Sequence, residues 1–358
     1  MAHYGNYYFH YFSLLFLSLL FSLLVTVLEM LLIRRTDNML DIKNLYISFK
    51  TPEGIVKAVN DVSFNIKKNQ SLAIVGESGS GKTQLAFSIL GLLDKNADVT
   101  GQINYQQKNL LNLPEHELNK IRSKKISIIF QDPMTSLNPY MKIKKQLNEI
   151  LINHNGMTNE LATKESLRIL DAVKIQDPVK TINSYPHELS GGMRQRVMIG
   201  MSILCKPEII IADEPTTSLD VTVQSQIMDL FNEIKREFNT SIILITHNMG
   251  IVKDTCDKLM VMYGGKIMEL GITNKIFTNP LHPYTRGLLE TVPKINENYK
   301  TLKTIKGNPI NMIDPPTGCI FRTRCSNPTH DCTNGKTTNF LIEKETNHWV
   351  DQCCVNCN

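Results

Sequence analysis

Residues 76–83 read GESGSGKT, from Gly76 to Thr83. A glycine, four residues and then Gly-Lys-Thr suit a loop that closes on a phosphate chain. Backbone N–H groups can turn toward phosphate oxygens only where no Cβ intervenes. Gly76, Gly79 and Gly81 therefore let the loop wrap a β-phosphate, with Glu77, Ser78 and Ser80 spaced between them. Lys82 then reaches the β- and γ-phosphates, the Thr83 hydroxyl holds Mg²⁺, and Gln84 completes the run of residues expected to bind ATP. A merely flexible glycine loop has the same composition, so the flanks decide. SLAIVG before it is an apolar run of strand length, and QLAFSILGLL after it carries apolar residues at helical spacing. Strand, glycine loop and helix aim a helix N-terminus at the anion, so the segment is expected to bind a nucleotide.

A chain of 358 residues has room for two or three structural units around a large core. Its net charge of +5 is modest and it has no long basic run, which argues against nucleic acid as a partner. Of the eight cysteines, Cys205 and Cys256 stand alone and the others fall between Cys319 and Cys357. In a cytosolic nucleotide-binding protein such a cluster points to a metal rather than to disulfides.

The first residues have a different texture. From Tyr11 to Leu28, YFSLLFLSLLFSLLVTVL carries no charge. As a helix it would be about 27 Å long, just short of a bilayer core of roughly 30 Å. Arg34 and Arg35 follow it and no Lys or Arg precedes it, the reverse of a signal peptide. Residues 1–38 are either a membrane anchor, leaving the rest in the cytoplasm, or upstream translation before a start at Met39. From residue 39 to about 290 short β-rich runs alternate with helical segments. KISIIF, EIIIAD and SIILIT are apolar over most of their length, as strands buried on both faces of a mostly parallel sheet are. A helical, polar insertion is expected over about 141–205. Residues 291–358 turn to Pro, Asn, Thr and Cys with little periodicity, a small appended unit.

A phosphate loop needs a metal ligand and a group that activates water. IIIADEP supplies both after a buried strand: Asp213 is placed to hold Mg²⁺, and Glu214 to polarise the attacking water. In LSGGMRQR, Leu189 to Arg196, Ser190 stands as an N-cap before Gly191 and Gly192, and a helical pattern follows. An ordinary capped helix would look the same. Beside a phosphate loop, however, a second anion-binding helix end invites a dimer with nucleotide held between subunits.

This segment resembles the signature motif of ABC-type ATPases, and that family's other motifs follow in order. Gln131 in FQDP matches the glutamine that senses Mg²⁺ and the transport partner. Ser218 to Asp220 match the D-loop that crosses the dimer interface, and His247 in LITHN matches the switch histidine at the γ-phosphate. The resemblance implies a P-loop α/β ATPase domain with a helical subdomain. It implies ATP and Mg²⁺ as cofactors, with Thr83, Gln131 and Asp213 around the metal and Ser190, Gly191, Gly192 and Gln195 facing the partner's ATP. It also implies an adenine-stacking aromatic near the first strands, for which Phe49 is favoured over Tyr46.

QDPMTSLNP (131–139), NPLHPYTRGLLETVP (279–293) and PPTGCIFRTRC (315–325) are similar to the ATPase subunits of oligopeptide, dipeptide and nickel importers. That subfamily implies two permease subunits, a second homologous ATPase, an extracytoplasmic substrate-binding protein, and a place at the cytoplasmic face of the inner membrane. Some members bind a [4Fe–4S] cluster through four cysteines. Cys319, Cys325 and Cys332 match, and Cys353 is chosen as the fourth from a tail that also offers Cys354 and Cys357. Three Cys and His348 would equally suit structural Zn²⁺.

Overall fold

The computed structural model describes residues 38–217, 219–292, 304–332 and 341–354. The apolar stretch Tyr11–Leu28, Ser218 and Cys357 lie outside the described residues. The described chain opens with β1 (Asn38–Thr51) and β2 (Gly54–Lys67), paired antiparallel. β3 (Ser71–Val75) then crosses into a second sheet, while β4 (Ala97–Tyr105) and β5 (Lys108–Asn109) return to the first. The remaining strands all join β3: β6 (Ile126–Ile129), β7 (Ile209–Asp213), β8 (Ser241–Thr246), β9 (Lys258–Tyr263), β10 (Lys266–Ile272), β11 (Leu341–Glu345) and β12 (His348–Asp351).

The result is a four-stranded sheet in the order β2-β1-β4-β5 and an eight-stranded sheet in the order β11-β12-β10-β9-β3-β8-β7-β6. β3 lies between β8 and β9, parallel to both, and β6 and β7 extend the parallel run. The apolar runs in the sequence have a physical cause here. Ala73, Val75, Ile210 and Ala212 face one hydrophobic cluster, and Leu72, Ile74, Ile209 and Ile211 face the other. A strand covered on both sides has no solvent face on which to place polar residues.

One cover is the antiparallel sheet, through Leu40, Ile42, Leu45 and Ile47 of β1. The other includes helices Ile143–Asn155, Asn159–Ala172, Pro178–Asn183 and Gly191–Ile203, which insert between β6 and β7. The helix ends are set by local chemistry: Thr158 and Ser190 accept from backbone N–H groups three residues on, and Gly156 closes Ile143–Asn155 in a left-handed conformation.

The last part of the chain does more than trail off the body. β12 pairs antiparallel with β10, Glu269 opposite Val350 and Gly271 opposite His348, so the central sheet ends on strands from the chain's final residues. LIEKE and HWVD carry no alternating pattern that would show this from sequence. The Phe321 ring also lies against Tyr263 and Tyr284, at 5.2 Å between centroids in each case. Among the described residues no helix is long and apolar enough to cross a membrane.

Candidate active site

The phosphate loop leaves the buried end of β3 and enters helix Lys82–Ile89. Two glycines are required by space. A Cβ on Gly76 would lie 2.2 Å from the Met262 carbonyl oxygen of β9. Gly81, at φ +94°, would place one 2.2 Å from the Ala58 oxygen. Gly79, at φ +78°, needs its freedom for conformation alone, since nothing lies within 4 Å. Ser78 and Gly79 form the exposed crest, Ser80 is buried beneath it, and Thr83 and Gln84 are half-buried in the first helical turn.

Lys82 is buried, and its Nζ donates to the Gly76 oxygen at 2.8 Å, the Glu77 oxygen at 2.9 Å and Ser80 Oγ at 3.3 Å. Burial holds its ammonium below the usual lysine range, while Glu214, Asp213 and Glu77 pull the other way. The loop thus surrounds a desolvated cation.

Asp213 ends β7 almost fully buried. Burial pushes its carboxyl up and Glu214 adds to that, opposed by a hydrogen bond from Thr83 and by Lys82. Its Oδ1 has no hydrogen-bond partner. A buried carboxylate oxygen without a partner is costly, and a divalent cation between Asp213 and Thr83 would satisfy it. The donors therefore fit Mg²⁺.

Glu214 adopts φ +47°, a left-handed conformation uncommon outside glycine. Its N–H donates to the Ile245 oxygen of β8 at 2.9 Å, which fixes that turn and swings the side chain toward the loops. Three groups meet its Oε2: Gln131 Nε2 donates at 3.1 Å, Thr217 Oγ1 at 3.0 Å, and His247 Nδ1 lies at 3.3 Å. Residues from the ends of β6, β7 and β8 converge on one oxygen. His247 keeps a side chain 58% exposed, so the cluster opens to solvent.

Ser190 and Gly191 are exposed at the start of helix Gly191–Ile203, where Ser190 Oγ accepts from the Met193 N–H at 3.3 Å. A Cβ on Gly191 would come 3.9 Å from Leu219, and one on Gly192 would come 3.3 Å from Val223, so the start of this helix packs beside Leu219 and Val223. Asp220 caps helix Val221–Glu237 by accepting from the Val223 N–H at 2.9 Å. Gln195 departs from expectation. It lies one turn into its helix, is 1% exposed, and its Nε2 has no hydrogen-bond partner. It faces the interior, away from the surface that would meet another subunit's nucleotide. Phe49 is half-buried on β1 against the second cluster, whereas Tyr46 is exposed.

These findings agree with what comparison shows. Residues 59–217 match the ABC transporter family, and residues 268–332 match the oligopeptide/dipeptide transporter C-terminal region. The oligopeptide transport ATP-binding protein OppD of Haemophilus influenzae is 54% identical over 313 residues, 87% of this chain and 97% of that protein. The chain belongs to the ABC transporter ATP-binding proteins.

The dipeptide transport ATP-binding protein DppD of Bacillus subtilis is 48% identical, over 81% of this chain and 88% of that protein. A solved dimeric ATP-binding cassette, MJ0796, described as a post-hydrolysis state bound to ADP and Pi, superposes with a TM-score of 0.59 at 27% identity. It covers 66% of this chain and 99% of that one. This ABC ATPase thus has the P-loop fold of its family and takes ATP with Mg²⁺.

The cysteines gather less neatly than their spacing suggests. The described ones form no disulfide. Cys319 hydrogen-bonds Cys353, which together with burial pushes the Cys319 thiol up. Burial raises the Cys325 thiol, and Cys319 and Cys332 add to it. Among the described residues, His282, Cys353 and Cys354 bring ligand atoms within 4.8 Å of one another.

His348 is not placed to join the cysteines. Fully buried, it sets Nε2 2.7 Å from Glu269 Oε1, and that carboxylate also accepts from the Leu281 and His282 N–H groups, each at 2.9 Å. The histidine beside the thiols is His282 instead, and its Nδ1 accepts from the Tyr284 N–H at 3.0 Å. With Nδ1 an acceptor, the neutral ring's proton sits on Nε2, a buried atom with no hydrogen-bond partner. Sequence reading passed over His282, Tyr284, Glu269 and Arg324. Three of them lie in the quoted stretches 279–293 and 315–325, but their distant partners, Cys353 and Cys354 for His282 and Glu77 for Tyr284 and Arg324, are not written there.

Proposed function

We propose that this ABC ATPase energises a membrane importer of oligopeptides or dipeptides. The observation that carries the catalytic part is the meeting of Gln131, Thr217 and His247 on Glu214 Oε2. In this reading Glu214 orients water in line with the γ-phosphorus. Lys82 and the loop N–H groups, from Gly76 through Gln84, hold the phosphates, and His247 contacts the γ-phosphate. Thr83, Gln131 and Asp213 would hold Mg²⁺, which supplies charge neutralisation when bound. Phe49 stacks on the adenine. Ser190, Gly191 and Gly192 meet ATP on a second ATPase subunit, a homologue rather than a copy, and Ser218 to Asp220 form the D-loop that crosses that interface.

The partner membrane proteins are two permease subunits, fed by an extracytoplasmic substrate-binding protein, with the ATPase at the cytoplasmic membrane face. A groove of about 250 Å³ lined by Leu92, Phe130, Ile150, Met198 and Met201 supports a permease contact. The segment after Gln131 has an exposed apolar rim of its own in Met134 and Tyr140, 58% and 91% exposed. Helix closure against ATP would move that rim with the Gln131 loop, giving hydrolysis a route to the permease.

The names of the similar proteins favour peptides over nickel as cargo. In membranes carrying the whole assembly, peptide-loaded binding protein is expected to stimulate ATP turnover and nickel-loaded protein is not. Stimulation by nickel alone would sink the peptide reading.

The buried thiols Cys319, Cys332 and Cys353 with Cys325 would suit a [4Fe–4S] cluster, Cys319 and Cys353 already lying within hydrogen-bond reach of each other. Zn²⁺ on the same donors is the second reading. Iron and sulfide in stoichiometric amounts are expected in protein purified without oxygen. Zinc without sulfide would replace the cluster assignment.

A further inference from the structure

Glu77, the second residue of the phosphate loop, is held from the far end of the chain. Arg324 Nη1 donates to Glu77 Oε2 at 2.6 Å and Nη2 donates to Oε1 at 3.1 Å, a two-pronged pair. The Arg324 side chain is 4% exposed. Its Nε donates to the Lys306 oxygen at 3.0 Å and Nη2 to the Ile305 oxygen at 3.3 Å. The guanidinium also lies 5.6 Å from the Tyr263 ring centre. A Cβ at Gly307 would approach Arg324 Cγ to 3.3 Å, so the chain leaves a fitted slot for the stem. The Glu77 backbone is held too, its N–H donating to the Tyr284 hydroxyl at 2.9 Å. The Glu77 carbonyl in turn accepts from Lys82 Nζ at 2.9 Å and from the Ser80 N–H at 3.2 Å.

One residue therefore joins the C-terminal segment to the lysine that meets phosphate. We propose that Arg324 is a positioning residue for the phosphate loop, setting ATP affinity by holding Glu77, and through it Lys82, in the binding conformation. The proposal rests on Gly76–Thr83 being the nucleotide loop. A loop whose crest is exposed loses freedom when a ligand orders it, and fixing it beforehand removes that cost from binding. Arg suits the task because both its terminal nitrogens, Nη1 and Nη2, engage one carboxylate while Nε and Nη2 hold backbone oxygens. A lysine offers a single point charge and cannot do both. The contrary reading is that the pair only fastens the C-terminal segment to the body.

The test is ATP affinity of the full-length protein by calorimetry, with thermal midpoints of the same samples. Arg324→Met is expected to weaken ATP binding about tenfold, within the usual range of coupling between sites. Arg324→Lys should recover little of that loss. Glu77→Gln should weaken binding similarly, and the double variant should be no weaker than either single one, because both remove the same contact. If Arg324→Met fails to fold, Glu77→Gln carries the comparison, since it changes charge with little change of shape.

Lowered midpoints with ATP affinity within about twofold of the parent would overturn the proposal and leave a fastening role. Additive losses in the double variant would overturn it as well. Lys82→Ala separates the two layers of argument. If it retains parental affinity, the nucleotide-loop reading itself fails; if it loses affinity while Arg324→Met does not, only the positioning role fails.

Discussion

Glu214→Gln should still bind ATP with near-parental affinity yet hydrolyse it about 10³-fold more slowly, within the range of a lost general base. The substitution keeps the side chain's shape and its attachment at the φ +47° turn. It removes the negative charge and replaces one acceptor with an NH₂ group. Gln131 Nε2 and Thr217 Oγ1 both donate to Oε2, so the remaining carbonyl oxygen can still satisfy them while the amide nitrogen faces outward. What is lost is basicity toward water. Binding is retained because phosphate contacts come from the Lys82 loop, which Glu214 does not build. Single-turnover hydrolysis alongside nucleotide titration measures both quantities. Turnover within about tenfold of the parent would remove Glu214 from its assigned role.

Gly81→Ala should abolish useful ATP affinity. At φ +94° an alanine pays a conformational penalty, and its Cβ would stand 2.2 Å from the Ala58 oxygen, a backbone atom within β2 that cannot rotate aside. Gly81 also accepts the Leu85 N–H at 2.9 Å, the first bond of the following helix. Relief therefore means moving the loop. A penalty of about 3 kcal/mol, the upper range for one strained residue, corresponds to roughly two orders of magnitude in affinity. Gly79→Ala is the internal comparison. It carries positive φ but no clash, so its loss in an ATP titration should be at least tenfold smaller, about 1.4 kcal/mol less. Equal losses at both positions would mean that the Ala58 contact is not what constrains the loop.

Much of the catalytic site is legible in sequence because its signals are local. A glycine that must admit backbone, a buried strand ending in Asp-Glu and a serine before two glycines each declare themselves within eight residues. Gln195 shows the limit of that approach. It belongs to the same short motif, yet the turn of the helix carries its side chain into the core. The C-terminal part fails for a different reason. His348 looks like a ligand because it precedes cysteines, but its partner Glu269 lies 79 residues earlier on β10. His282 reaches Cys353 and Cys354 only because β12 docks on β10. Such pairings depend on the order of strands in the sheet, and the sequence around each residue contains no trace of it.

That strand order also sets a timetable for synthesis. β3 begins at residue 71, but its neighbours β8 and β9 are made only after residue 240, and the strand that pairs with β10 comes last of all. Arg324 follows Glu77 by 247 residues. At ribosomal speeds of roughly 5–20 residues per second, the loop waits about 12 to 50 s for its arginine. Until β8 and β9 emerge, β3 has two unpaired edges and, after Ser71, only apolar side chains, the kind of surface on which nascent chains aggregate. On the positioning role proposed for Arg324, full ATP affinity thus arrives only late in translation, and a chain ending before Arg324 would fold in part and bind nucleotide more weakly.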